Sequence, residues 1–209
     1  MNLYPLVKVL TYPFVRCFFK MRYCGLEHIP QGGGYILACN HRSNYDPVLL
    51  VHKLPVQVHY LGKIELLKNR LIGFVMKSLG IIPIKRGEGD TDALDNAAEL
   101  IQSGGVLGMF PEGKRSKDGV PLRPRSGVSV IAAKTQADIL PVAITYGKGV
   151  RFRSPVTVRY GQLIPHGQLG IDPDSPASIR TATKRIMGDI IALMDAPPAA
   201  LPASEEEGA

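Results

Sequence analysis

The chain has 209 residues, 45% of them hydrophobic, and a formal charge of +7 at pH 7. That length fits one domain with a sizeable core, and the composition excludes a disordered chain and an integral membrane protein. The charge rises to +11 once the acidic last fifteen residues are set aside, so a polyanionic partner is implied: an anionic membrane, a phosphorylated substrate or nucleic acid.

Residues 1–24 stand apart. Leu3, Leu6, Val7, Leu10, Phe14 and Phe18 recur at three- and four-residue steps, and Lys8, Tyr12, Arg16 and Lys20 recur on another face. The spacing predicts an amphipathic helix, kinked or split at Pro13, with cations on its polar side. Its charges and prolines argue against a membrane span, and it lacks the cleavage site of a secretory signal. We read it as an interfacial anchor on anionic lipid; the alternative is a helix that packs on its own domain.

A domain over residues 25–195 follows, with a tail over 196–209, rich in Ala, Pro and Glu, expected to be disordered. Tyr35–Asn40 reads as a buried strand and Pro47–Lys53 as a helix, with Asp46 as its N-cap. Val56–Leu61 alternates like a strand. Asn69–Leu79 reads as a helix, Gly80–Ile84 as a short apolar strand and Asp90–Gln102 as a helix with acidic residues at its start. Strand Gly105–Met109, helix Ser126–Gln136, buried strand Ile139–Ile144 and strand Val156–Tyr160 come next. A last helix runs from Ala177 to about Met194, capped by Ser175-Pro176. Strands and helices alternate throughout, so the fold class is α/β, a mixed β-sheet flanked by helices.

Three strand ends carry chemistry. Asn40-His41-Arg42-Ser43-Asn44-Tyr45-Asp46 places an imidazole five positions before a carboxylate, where a strand hands over to a helix. An imidazole held by a carboxylate can take a proton from a hydroxyl near neutral pH; on its own, Asp46 could equally be a simple helix cap. Phe110-Pro111-Glu112-Gly113-Lys114-Arg115-Ser116 follows a second apolar run, and its cations and glycine suit a phosphate. Ile81–Ile84 ends in Lys85-Arg86-Gly87, a third. Taken singly each loop can be a solvated polar turn; together they suggest one pocket holding a base and an anion clamp.

These segments resemble the four blocks of the 1-acylglycerol-3-phosphate acyltransferases, the PlsC-type family. Asn-His-x4-Asp is met by Asn40-His41 to Asp46, Gly-x5-Arg by Gly80 to Arg86, and Phe-Pro-Glu-Gly-x-Arg-Ser by Phe110 to Ser116. A hydrophobic stretch around proline is met by Ile139 to Ile144. Lys114 replaces the commonest threonine of the third block. Gly119 to Gly127 looks like the family's G-x-L-x-x-F-K-x-G stretch, with Pro124 for Phe and Arg125 for Lys.

The resemblance implies acyl transfer from a thioester, carried by acyl carrier protein or coenzyme A, to the sn-2 hydroxyl of lysophosphatidic acid, giving phosphatidic acid. It implies His41 as general base and Asp46 as its orienting partner. Lys85, Arg86 and Arg115 would hold the phosphate, while Asn40, Glu112, Gly113 and Ser116 would shape the acceptor site. Gly62-Lys63-Ile64-Glu65-Leu66 looks like the family's A-K-x-E-L element, which places Lys63 near the reacting carbonyl; a surface lysine is the equal alternative. No cofactor is expected. The location implied is peripheral, on the cytoplasmic face of the cell membrane.

Other readings remain at this point. The same fold could acylate glycerol 3-phosphate, another lysolipid or an amino-acid lipid. A protein of another class, a basic nucleic-acid-binding module, is permitted by charge but has no recognisable motif, so nucleic acid is not expected as a partner. Cys17, Cys24 and Cys39 are odd in number without C-x-x-C spacing, which suits a reducing compartment. Cys39, two residues before His41, makes a Cys–His nucleophile pair conceivable. His52, His59 and His166 lack metal-ligand spacing, and no nucleotide-binding glycine loop is present.

Overall fold

A computed structural model of the chain describes residues 4–63, 73–74, 80–84 and 91–197. Among these, seven strands form one mixed sheet in the order β1-β7-β6-β2-β5-β3-β4. The strands are β1 (Phe19–Cys24), β2 (Tyr35–Cys39), β3 (Val58–Lys63), β4 (Ile81–Ile84), β5 (Val106–Met109), β6 (Asp138–Tyr146) and β7 (Ser154–Tyr160). Pairing is parallel except between β6 and β7. The described helices are α1 (Tyr4–Phe18), α2 (Asp46–Val51), α3 (Thr91–Gln102), α4 (Gly127–Thr135) and α5 (Pro176–Asp195). The expected helix Asn69–Leu79 falls largely outside the described residues, as do Lys85, Arg86 and the tail from residue 198.

The central strands are apolar on both faces because both faces are covered. Along β2, Tyr35, Leu37 and Cys39 join a core with Val15 of α1 and Leu49 and Leu50 of α2. Ile36 and Ala38 point the other way, into a second core with Ile101 of α3, Ile131 of α4 and Ile186 of α5. This two-residue alternation sandwiches the sheet between helical layers. It also leaves the adjacent parallel strands β6, β2 and β5 opening their carboxyl ends on the same edge of the sheet, where open α/β folds place ligands.

The first 24 residues differ from expectation. The helix continues through Pro13 to Phe18, and residues 19–24 then form β1, a strand paired with β7 in register Phe19↔Ser154 to Cys24↔Arg159. The pairing is wholly non-local, so no local pattern announces it. The sequence left open which stripe of the helix faces the domain. Its polar stripe faces the domain: Lys8 Nζ donates to Leu54 O at 2.8 Å, and Tyr12, whose hydroxyl accepts from Arg16 Nη1 of the same helix at 3.2 Å, packs on His52. Its apolar stripe faces outward, with Leu6, Val9, Leu10 and Phe14 all more than half exposed. Lys8 therefore braces the helix against the domain.

This docking encloses His52, which packs against the Tyr12 ring at 5.3 Å between centroids. Burial, followed by the charge of Lys8, lowers its pKa from 6.5 to about 4. The native state thus binds fewer protons at this site than the unfolded chain, so the stabilising contribution is complete above pH 6.5. It is expected to be lost as pH falls from 6.5 through 4. Urea denaturation across that range should show the slope, and His52→Gln should flatten it.

Candidate active site

The loop after β2 is held by a side chain that imitates a strand. Asn40 Oδ1 accepts the Ile144 N–H at 2.8 Å and its Nδ2 donates to Ile144 O at 2.9 Å. The amide continues the β2–β6 ladder one residue past the strand, so Asn40, only 4% exposed, is a clamp on β6 and not an open ligand group.

His41 comes next. Its Nδ1 lies 2.8 Å from Asp46 Oδ2, and its ring stacks on Phe110 with centroids 4.0 Å apart and planes inclined by 19°. Phe110 in turn stacks on Tyr60, at 5.9 Å. The imidazole is thus fixed by a hydrogen bond on one edge and by an aromatic face. Among the described residues its Nε2 has no hydrogen-bond partner, and the side chain remains 18% exposed.

Asp46 is not the helix cap that was expected. Helix α2 begins at Asp46 itself, with Tyr45 as the N-cap residue and no side-chain capping bond. The carboxylate is drawn backward instead: Oδ2 accepts from Arg42 N at 2.7 Å and Ser43 N at 2.8 Å besides meeting the imidazole. Oδ1 accepts from the Tyr146 hydroxyl at 2.6 Å. The side chain is fully buried, and these donors satisfy both of its oxygens. Tyr146, at the end of β6, was not singled out from sequence; it is one tyrosine in an apolar strand and is linked to Asp46 only through space. Burial, then the Asp46 charge, pushes its hydroxyl pKa up, so it stays a donor.

The loop after β5 docks beneath. Glu112 is 2% exposed and uses both oxygens on backbone: Oε1 accepts from His41 N at 2.8 Å and Oε2 from Leu122 N at 2.9 Å. It ties the His41 loop to the 116–122 turn, where the resemblance had implied a part in shaping the acceptor site. Gly113 adopts φ +68°, and a Cβ there would come 2.8 Å from Arg125 Cδ, so glycine is required. Ser116 is likewise structural: its N–H donates to His41 O at 2.8 Å, and its hydroxyl donates to Asp118 and accepts from Gly119 N. Arg115 is exposed and donates to Asn44 Oδ1 at 2.6 Å, which brings one clamp candidate to the His41 loop. Arg42 also gathers here, its guanidinium lying across Gly119, where a Cβ would collide with it. Lys63 ends β3, the neighbour of β5, but its side chain lies outside the described part; Lys85 and Arg86 lie wholly outside it.

Cys39 faces the core, fully buried, with its thiol directed at Asn40 Oδ1 at 3.6 Å. Burial, then the Asp46 and Glu112 charges, pushes the thiol pKa well up. A buried thiol so disposed is a packing residue and a poor nucleophile. Cys39→Ala is expected to retain turnover at a stability cost of about 1–2 kcal/mol, measured by chemical denaturation alongside the transfer assay.

Comparison with known proteins adds to this geometry. A family model described as Acyltransferase matches residues 20–145. The chain is 33% identical over 118 residues to the 1-acyl-sn-glycerol-3-phosphate acyltransferase of Bacillus subtilis (strain 168), covering 56% of this chain and 58% of that one. Identity to the protein of the same name from Streptococcus pneumoniae is 31% over 148 residues, covering 68% of this chain and 54% of that one. The chain spans about half the length of the curated relatives it matches. The fold is shared with the crystal structure of the 1-acyl-sn-glycerophosphate acyltransferase PlsC from Thermotoga maritima, with a TM-score of 0.71 and 22% identity over 91% of this chain and 78% of that one. The His41–Asp46 pair and the Glu112 loop both fall inside the matched segment, which takes in more than half the chain, and the chain belongs to the Acyltransferase family.

Proposed function

We propose that the protein transfers a fatty acyl group from an acyl thioester to the sn-2 hydroxyl of 1-acylglycerol 3-phosphate. The observation that carries this reading is the His41–Asp46 pair: Nδ1 is held at 2.8 Å while the opposite ring nitrogen is left for a substrate proton. The names of the relatives from Bacillus subtilis and Streptococcus pneumoniae support the choice of acceptor.

A thioester is already activated, so the enzyme needs no covalent intermediate. His41 Nε2 takes the proton of the acceptor hydroxyl as its oxygen attacks the thioester carbonyl. Asp46 stabilises the imidazolium that forms, and its other bonds keep it from moving. Collapse of the tetrahedral adduct forms the ester, breaks the carbon–sulfur bond and returns the proton to the leaving thiolate. Arg115, with Lys85 and Arg86, supplies the positive charge for the acceptor phosphate, and Lys63 or nearby amides stabilise the oxyanion. Asn40, Glu112, Gly113 and Ser116 hold the two loops in place. The outward apolar face of α1 docks the protein peripherally on the cytoplasmic face of the cell membrane, where lysolipid resides. Among the described residues no helix is long and apolar enough to cross a membrane.

The test is a matrix of donors against acceptors with purified protein, read by lipid mass spectrometry. Acyl carrier protein and coenzyme A thioesters are each offered with 1-acylglycerol 3-phosphate, glycerol 3-phosphate and a lysophosphatidylcholine. Phosphatidic acid is the expected product. Turnover confined to either of the other acceptors would overturn the assignment.

A further inference from the structure

The outward face of α1 carries the aliphatic and aromatic side chains Leu6, Val9, Leu10 and Phe14, while Lys8 reaches back to Leu54 O and Arg16 to Tyr12, which packs on His52. A second element supplies exposed charge. The connection between β6 and β7, residues 147–153, reads Gly-Lys-Gly-Val-Arg-Phe-Arg. Phe152 is 62% exposed, and Lys148, Arg151 and Arg153 are exposed around it. None of these three cations is in an ion pair among the described residues.

The loop is locked to the end of the helix. Arg153 N donates to Phe18 O at 2.7 Å, and Phe152 meets the Phe18 ring edge-on at 5.5 Å. Phe18 stacks on Phe14 of the helix's outward face at 5.7 Å and contacts Tyr45, the residue before Asp46, at the same distance. One aromatic row therefore runs from the loop, past the helix, to the loop that bears the candidate base. An apolar surface with exposed phenylalanine, rimmed by unpaired lysine and arginine, matches the boundary between anionic headgroups and acyl chains.

We infer that the β6–β7 loop is a second membrane-contacting element, in which Phe152 enters the acyl boundary while Lys148, Arg151 and Arg153 bind anionic headgroups. The inference rests on the reading of α1 as a membrane anchor and extends it. The helix supplies apolar area and the loop supplies selectivity for negative lipid. Two contacts on either side of Phe18 also set the tilt of the domain, so that the His41 loop faces the bilayer.

The test is flotation of the full chain with vesicles of phosphatidylcholine, with and without phosphatidylglycerol. R151Q/R153Q is expected to lower partition onto the anionic vesicles on the order of 30-fold, to leave binding to neutral vesicles unchanged and to make the salt dependence shallower. F152S should lower binding to both vesicle types about tenfold. Neither variant should alter turnover of a short-chain, monomeric 1-acylglycerol 3-phosphate. Wild-type flotation by both loop variants, with loss in L10S/F14S, would overturn the loop assignment and leave the helix anchor standing. Wild-type flotation by all three would overturn both. A dimer in lipid-free ultracentrifugation that F152S dissociates, with flotation unchanged, would assign the patch to a second copy of the chain and overturn the inference.

Discussion

His41→Ala is expected to reduce acyl transfer by about 10²–10⁴-fold while leaving the protein folded. The loss in rate follows from removing the imidazole held at Asp46, whose other ring nitrogen has no partner among the described residues. The fold should survive because Asp46 keeps three other donors: the N–H groups of Arg42 and Ser43 and the Tyr146 hydroxyl. The buried carboxylate is therefore not abandoned, which is the usual route to a severe loss of stability at such a site. Initial rates with saturating thioester, together with a thermal melt, would decide the matter. Wild-type turnover in a folded variant would remove the general-base assignment.

Glu112→Gln is expected to lower stability by about 1–3 kcal/mol and to depress kcat without raising the KM for the acceptor. The carboxylate accepts two backbone N–H groups from segments far apart in the chain, one of them His41's own. An amide has only one oxygen, so its NH2 must face one of those donors and leave it buried and unpaired. The loop carrying His41 then loses one of its anchors, and the imidazole drifts from its productive position. Urea denaturation gives the first quantity and steady-state kinetics the second. A raised acceptor KM with unchanged stability would mean that Glu112 grips substrate after all.

Strands that are buried on both faces were legible because they are short, apolar and bounded by turns. Tyr35–Cys39 and the stretch around Pro141 are continuous hydrophobic runs, and no solvated structure suits them. The histidine–aspartate spacing was legible for a similar reason: both residues sit on one loop, so four intervening residues suffice to bring them together. What depended on distant partners was not. Phe19–Cys24 continues the helical periodicity before it and becomes a strand only through β7. Tyr146 reaches Asp46 across the end of β6, and nothing beside it in the chain marks the contact. The sequence put Glu112 in the loop after a strand but did not show its partners, because a loop carboxylate can turn toward ligand or backbone. The Leu122 and His41 amides decide which. The period of the helix over residues 4–18 was legible, but which stripe faces inward was not, since that depends on the Leu54 carbonyl and the His52 ring, both distant in the chain.

The partnership of β1 with β7 bears on how the protein is made. Nearly the whole domain separates the two strands, so this edge of the sheet closes only after β7 has left the ribosome. Until then the residues that follow α1 have no strand partner, while the helix's oily side is already bare. A nascent chain in that condition invites early capture by lipid or by a chaperone, so delivery to its working surface would precede completion of the catalytic body.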